Sequence, residues 1–448
     1  MLNVSEILRV ARGEEEIARV RAASPDRYRS VSPRPQQSTD KTLNLGASAH
    51  ASTRFAGLSG STKATDSLPL AGRVSSPSIK VVVWNVCLHC NMRCPHCYAA
   101  AGKRPSNKDL STAQGKQLLQ KLAGGGVRAL IFSGGEPLLR PDLLELIRYA
   151  NELGLSTHLS TNGVLIDAAK AAELADAGIR YVGISIDGLP DFNDNYRGLQ
   201  HGYKDAVRGL VNARKSGMRT GLRITVSKRN SEHVYPLLDT AMELGVNRFY
   251  VSHLQYSGRA KRIADEDLSP ADTRALLLKL FAKADALLDT DTLTEIVTGA
   301  NDSGAVLLMH WVEENYGPEA ALKVQQLLRS KGGNRSGESL LCVDSEGKVH
   351  PDQFWRTRTL GDLKTQTWSE VLANPLLPQL TARAELLQGR CGACRFIDLC
   401  RGSHRERALA AGAGLWGPDP ACVMHDQEIG WVEQQPALPT GANLEIRT

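Results

Sequence analysis

The chain has 448 residues, 42% of them hydrophobic and 23% charged, an ordinary globular composition for two or three domains. Its formal net charge of +6 is too small to argue for nucleic-acid binding. There is no apolar run of about 18 residues, the length of a membrane span, and no secretory signal, so the composition reads as cytoplasmic with no membrane partner.

Residues 1–22 carry Val4, Ile7, Leu8, Ala11 and Ala18 at helical spacing and read as a short N-terminal helix. Residues 23–78 are Ser/Pro-rich without periodicity, which predicts a disordered linker. From Ile79 the texture changes. IKVVVWNV, RALIFS, LSTHLST, YVGISI, TGLRITV and NRFYVSHL are strand-like, and helical patterns near 112–123, 141–153, 167–177, 203–216 and 231–244 separate them. Strict strand–helix alternation predicts parallel strands with right-handed crossovers over 79–260, either a doubly wound sheet or an incomplete barrel. In both, chemistry collects at the C-terminal strand ends. Residues 261–335 read as a helical connection, with helices near 269–289 and 303–330. In 336–430, LLCVDSEGKVHPDQFW reads as a hairpin turning at Ser345-Glu346-Gly347, followed by a Cys-rich region; 431–448 read as a flexible tail.

The nine cysteines fall into two clusters, with Cys342 alone between them. In a long chain without a signal, such spacing points to metal ligation rather than disulfides. Cys90, Cys94 and Cys97 form C-x3-C-x2-C in the loop leaving the first strand. Three thiolates can hold three corners of a [4Fe–4S] cluster and leave the fourth iron open. On spacing alone, a zinc loop completed by Cys87 or His96 is the alternative. Cys391, Cys394, Cys400 and Cys422 form a complete four-thiolate set, for a second [4Fe–4S] cluster or for zinc. Cys342 reads as a small buried residue and Cys87 as outside the first ligand set.

C-x3-C-x2-C followed by Tyr98 resembles the radical S-adenosylmethionine (SAM) superfamily. So do Gly134-Gly135-Glu136-Pro137, Ser160-Thr161-Asn162-Gly163, Ser185-Ile186-Asp187-Gly188 and Arg223, which fall at successive strand ends. The resemblance implies an incomplete (β/α)6 barrel with a small Cys-rich auxiliary-cluster domain. It implies a SAM site made of Tyr98, Gly134, Gly135, Glu136, Asn162, Ser185, Asp187 and Arg223. It also implies reductive cleavage of SAM to a 5′-deoxyadenosyl radical that abstracts hydrogen, and an electron donor such as ferredoxin or flavodoxin. The C-terminal cysteines resemble SPASM or twitch extensions, implying a second [4Fe–4S] cluster.

GGNRSGESLLCVDSEGKVHPDQFW, CGACRFIDLCRGSHRERA and GPDPACVMHDQEI resemble the tetrapyrrole-modifying branch. That resemblance implies an iron tetrapyrrole substrate and propionate removal from a didecarboxysiroheme-type compound toward heme d1. Acetate removal from didecarboxysiroheme, or maturation of a peptide, are the alternatives. Carboxylates on such a substrate call for arginines, and Arg335 and Arg356 flank the hairpin. His350 is the candidate to contact or ligate the central iron.

Overall fold

The computed structural model describes residues 1–15 and 78–432. The expected linker and tail therefore fall almost wholly outside the described residues. Six parallel strands run in order: β2 (Val81–Asn85), β3 (Ala129–Ser133), β4 (Ser156–Thr161), β5 (Tyr181–Ser185), β6 (Arg219–Val226) and β7 (Arg248–His253). The helices between them are α2 (Thr112–Gly124), α3 (Leu143–Glu152), α4 (Ala168–Asp176), α5 (Pro190–Arg197), α6 (Gly202–Lys215) and α7 (Val234–Glu243), α1 being the N-terminal helix below. Local chemistry sets several of their starts: Ser111 and Gln114 close a capping box on α2, and the Asp167 carboxylate caps α4. Each strand pairs in register with its sequence neighbour, for example Val83 with Ile131 and Ile184 with Leu222. The apolar alternation buries Val82, Trp84, Leu130, Phe132, Leu159, Val182, Leu222 and Phe249. This is the incomplete barrel the sequence implies.

Both barrel edges carry more than the sequence suggested. β8 (Glu295–Gly299) adds a further parallel strand beside β7, inside the stretch read as purely helical. β1 (Leu2–Asn3) pairs antiparallel with β8, and α1 (Val4–Ala11) packs on α8 (Pro270–Leu288) and α9 (Ser303–Lys331). The N-terminal helix is thus shorter than expected and belongs to the barrel. Arg12 fixes it, reaching Asp285 at 3.1 Å and Asp289 at 2.6 Å, and Glu6 lies 3.2 Å from Lys331. At the other edge β9 (Leu340–Val343) lies parallel to β2, and β10 (Lys348–His350) turns back on it as the expected hairpin, with β11 (Gly361–Asp362) outermost. Short helices complete the Cys-rich region. Among the described residues no helix is long and apolar enough to cross a membrane.

Ile7 is fully buried between α1 and its partners. Ile7→Ala should destabilise the chain by about 2–5 kcal/mol, the usual cost of emptying a core site. A lowered denaturation midpoint in the full chain is the expected reading, and an unchanged one would show that the N-terminal segment adds nothing to the barrel.

Candidate active site at the strand ends

The loop from β2 carries Cys90, Cys94 and Cys97 over the C-terminal ends of the strands. Its path is held by backbone. The Cys90 N–H donates to Gly102 O at 2.8 Å, and the Arg93 N–H donates to Arg197 O at 2.9 Å. Arg259 donates to Cys94 O at 2.8 Å and to Ala101 O at 2.7 Å. The Met92 N–H points at Cys90 Sγ, 3.4 Å away. Burial pushes the Cys94 thiol pKa up and the Cys90 thiol pKa to about 11. These thiols stay protonated until a metal takes them as thiolates. Positive charge waits beneath them: Arg197, 7% exposed, lies against Cys94 and 3.3 Å from Asp187. His96 is tied to the barrel through one ring nitrogen, while its Nδ1 is buried without a partner. Its Nε2 lies 3.2 Å from Asp187 and its ring stacks on Tyr196.

The second strand end brings the next two glycines under this loop. Gly134 has φ of +142°, and a Cβ there would lie 2.5 Å from Cys87 O. At Gly135 a Cβ would lie 2.1 Å from His89 O. Only glycine lets β3 and the cluster loop approach so closely.

Of the expected SAM residues, Tyr98, Gly134, Gly135, Asn162 and Ser185 line one cleft with the three cysteines. It encloses about 830 Å³ counting its open mouth, within the ~300–1,000 Å³ usual for ligand sites. The Tyr98 hydroxyl donates to Asn85 Oδ1 at 3.1 Å. The Asn162 side chain reaches Asn91 Oδ1 at 2.7 Å, tying the third strand end to the cluster loop.

Three expected SAM residues lie elsewhere. Glu136 is fully buried and its carboxylate is occupied, accepting from the Thr161 hydroxyl (2.6 Å), the Asn162 N–H (2.8 Å) and the Leu138 N–H (3.1 Å). It is a brace that shapes the Thr161–Asn162 turn. Asp187 is also buried. Burial opposes its charge, yet His96 and Arg197 beside it draw its pKa down to about 2. It orients those two groups and accepts the Thr225 N–H at 2.9 Å. Arg223 turns into the barrel interior, donates to Ser160 Oγ at 2.8 Å and lies over the rings of Tyr181 and Tyr250. Each residue sits at the expected strand position, but its side chain is directed away from the cleft.

The hairpin region roofs the cleft through Phe354, whose ring meets Tyr98 edge-on at 5.3 Å. Arg356 follows. Its charge acts on Tyr98 and on the buried Cys342 thiol, and its Nη1 is buried with no hydrogen-bond partner. The other two substrate candidates fail on geometry. His350 has both ring nitrogens engaged, with Arg358 O at 2.9 Å and Asp344 at 3.2 Å, and staples the hairpin. Arg335 is spent at the end of α9, on Lys331 O and Glu338, and faces the lateral opening beside Lys80 and Met1.

The cleft is also lined by His253, the last residue of β7, and by Gln255 just beyond it, which was not foreseen; each has a buried unpartnered atom, Nε2 and Oε1. Burial lowers the His253 pKa to about 3, so its ring is neutral near pH 7.

Cys391, Cys394, Cys400 and Cys422 are mutual electrostatic neighbours, and burial raises the pKa of the first three. The Phe396 N–H points at Cys394 Sγ from 3.4 Å. Arg405 lies beside Cys391 and Cys400 with its Nε buried and unpartnered, a cation placed for a negatively charged group. The buried pair Arg407–Asp419 (2.7 Å) sets the loop before Cys422, and Arg407 also donates to Leu254 O and Ala300 O. It locks the Cys-rich region to the end of β7. The alternating arginines of Ser403-His404-Arg405-Glu406-Arg407 are the sequence signal for this lock.

Among the described residues no three His, Cys, Asp or Glu side chains close around one point as a single metal ion requires. The thiol sets, their N–H donors and their buried arginines suit a larger anionic group.

A family model described as the radical SAM superfamily matches residues 84–241. The chain is 38% identical to the Fe-coproporphyrin III synthase of Methanosarcina barkeri over 360 residues, 79% of this chain and 90% of the relative. It is also 38% identical to the pre-heme d1 synthase of Dinoroseobacter shibae over 353 residues, 78% and 87% of the two chains. Its fold is similar to the crystal structure of Streptococcus suis SuiB bound to S-adenosylmethionine, with a TM-score of 0.60, 17% identity and 78% of each chain covered.

Gly135→Ala should displace the cluster loop and lower SAM affinity more than tenfold, whereas Gly102→Ala, with nothing within 4 Å of its Cβ, should leave it unchanged. Glu136→Gln sets an amide N–H against a donor. It should cost about 1–3 kcal/mol in the denaturation midpoint without SAM. An effect on SAM affinity alone would instead make Glu136 a ligand.

Proposed function

The chain belongs to the radical SAM superfamily, and on that premise we propose that it removes carboxylate-bearing side chains from a siroheme-derived iron tetrapyrrole. A [4Fe–4S] cluster and SAM, when bound, supply a 5′-deoxyadenosyl radical that takes a hydrogen atom from an unactivated carbon. The chain's residues do the rest. Cys90, Cys94 and Cys97 hold three corners of the cluster. Gly134 and Gly135 let backbone approach SAM, Tyr98, Asn162 and Ser185 line its site, and Glu136 and Asp187 brace the loops that do so. Phe354 covers part of the cleft over Tyr98.

The observation that carries the substrate class is the pairing of Phe354 with Arg356 at the roof. A tetrapyrrole is flat and apolar on its faces and carboxylated at its rim. Phe354 lies over the cleft and offers an apolar contact; Arg356, two residues on, has a buried Nη1 with no hydrogen-bond partner and is the carboxylate partner in this proposal. Propionate removal toward heme d1 is the specific reading. Acetate removal giving an Fe-coproporphyrin is the second, favoured equally by the 38% identity to a relative named for that product. In the same proposal Cys391, Cys394, Cys400 and Cys422 hold a second [4Fe–4S] cluster, supported by the buried Nε of Arg405.

Three experiments test this reading. Anaerobic incubation with SAM, a reductant and didecarboxysiroheme should give a product lighter by its propionates; loss of acetates supports the second reading, and no change in mass contradicts both. Arg356→Ala should weaken tetrapyrrole binding by about 1.5–3 kcal/mol while substrate-free SAM cleavage persists. Anaerobic reconstitution should give about eight irons per chain. Replacing Cys391, Cys394, Cys400 and Cys422 with Ala should remove about half; zinc in that site would refute the second cluster.

A further inference from the structure

We propose that the barrel lumen beneath the cleft holds a separate binding site for a short alkyl carboxylate, with Arg223 as its cation. The ligand chemistry is the same for a free acid and for a carboxylate arm of a larger molecule; only the second source rests on the tetrapyrrole reading.

The inward positions of the strands are layered with the period of two that a pleated strand imposes. The upper layer is Ser133, Ser160, Ser185, Thr225 and Ser252, whose hydroxyls line the cleft. Two residues earlier on the same strands come Ile131, His158, Gly183, Arg223 and Tyr250. A complete (β/α)8 barrel fills such layers with branched apolar side chains. Here the lumen is lined by His158, Tyr181, Arg223, Arg248 and Tyr250, with Ile131 and Val297 as its branched apolar residues. Glycines make the room. Gly183 and Gly221 pair across β5 and β6. A Cβ at Gly183 would collide with the Arg223 guanidinium, and one at Gly221 with the Tyr181 hydroxyl. On β8, a Cβ at Gly299 would collide with the Tyr250 hydroxyl. These polar side chains therefore fold over the neighbouring strand instead of filling the centre, and about 170 Å³ stays open. A cavity of about 150 Å³ holds benzene, so acetate or propionate fits.

Charge selects a monoanion. Arg248 is paired with Glu295 at 3.0 Å, and Lys331 with Glu6 at 3.2 Å. Arg223 donates to Ser160 Oγ at 2.8 Å, and among the described residues no carboxylate pairs with it. Its guanidinium lies 5.7 Å from the centre of the Tyr181 ring, and that of Arg248 lies 5.9 Å from the same ring. Burial, and then the charges of Arg180, Arg223 and Arg248, lower the His158 pKa to about 3, so that ring is neutral near pH 7. Of the side-chain charges in the lumen, one guanidinium is left uncompensated. Its planar fork matches a carboxylate, and Ile131 and Val297 give a short alkyl tail an apolar wall. Entry is lateral. Met1 and Lys331 line both the lumen and the opening beside it, where exposed Lys80 adds positive charge at the mouth.

The test is equilibrium dialysis of radiolabelled propionate against the cluster-loaded full chain at constant ionic strength. Propionate should occupy a single saturable site. Propionamide, its uncharged isostere, and inorganic phosphate should not displace it. Arg223→Gln should weaken binding at least tenfold while iron content is kept. If that variant loses iron, Arg223→Lys, which keeps the charge but not the fork, should still weaken binding about threefold. The control Arg148→Gln, at an exposed position on α3, should change nothing. An excess of an iron porphyrin bearing propionate arms then separates the sources. Displacement of the label makes a tetrapyrrole arm the occupant, and retention makes it the free acid; both support the site. A porphyrin that does not bind at all counts against the tetrapyrrole reading and leaves the lumen site standing. Absence of saturable propionate binding, equal binding of propionamide or phosphate, or affinity unmoved in the folded Arg223 variants overturns the proposal.

Discussion

Arg197 carries a guanidinium, nearly closed off from water, to the underside of the loop that holds Cys90, Cys94 and Cys97. A buried charge is costly unless it is paired, and this one is paired with Asp187. Asp187 meets it at 3.3 Å, and the Cys94 thiol faces it from the other side. Burial alone would keep the thiols neutral. The guanidinium makes the same place hospitable to thiolates bound to iron. The surrounding architecture serves this placement: α5 delivers Arg197, the Ser185 carbonyl accepts its Nη1, and the Arg197 carbonyl holds the Arg93 N–H.

The Cys-rich C-terminal region repeats the arrangement with different residues. Arg405 stands beside Cys391 and Cys400, while Arg407 and Asp419 form a buried pair that fixes the loop before Cys422. Because Arg407 also reaches Leu254 O and Ala300 O, the second thiol set is anchored to the β7 end of the barrel. From the other barrel edge, β9 and β10 bring Phe354 across the cleft, and the Ser257 hydroxyl binds the Phe354 carbonyl. Roof and barrel are thus joined on both flanks of the reacting face.

The parallel strands and the helices between them were legible because apolar alternation and helical periodicity are local signals. The cleft was legible in Cys90, Cys94, Cys97, Tyr98, Gly134, Gly135, Asn162 and Ser185, because position at a strand end decides which backbone faces the ligand. Side-chain direction was not legible. Glu136, Asp187 and Arg223 occupy the expected positions, yet tertiary hydrogen bonds turn them into braces. His350 and Arg335 read as substrate residues from composition near the hairpin. Their polar atoms are consumed by Arg358, Asp344, Lys331 and Glu338, partners that spacing does not reveal. β8 and β1 are not legible in the sequence because strands of five and two residues, flanked by helix, carry too little period to stand out.

In the proposed reaction hydrogen is taken from a side chain of an iron tetrapyrrole lying against Phe354 and Arg356. The most direct measurement is isotope transfer. Didecarboxysiroheme deuterated in its propionate side chains is incubated anaerobically with the cluster-loaded chain, SAM and reductant, and the 5′-deoxyadenosine formed is examined by mass. Deuterium in that 5′-deoxyadenosine is the predicted result. Deuterium absent from it, while SAM is cleaved and the tetrapyrrole is recovered unchanged, would contradict the account.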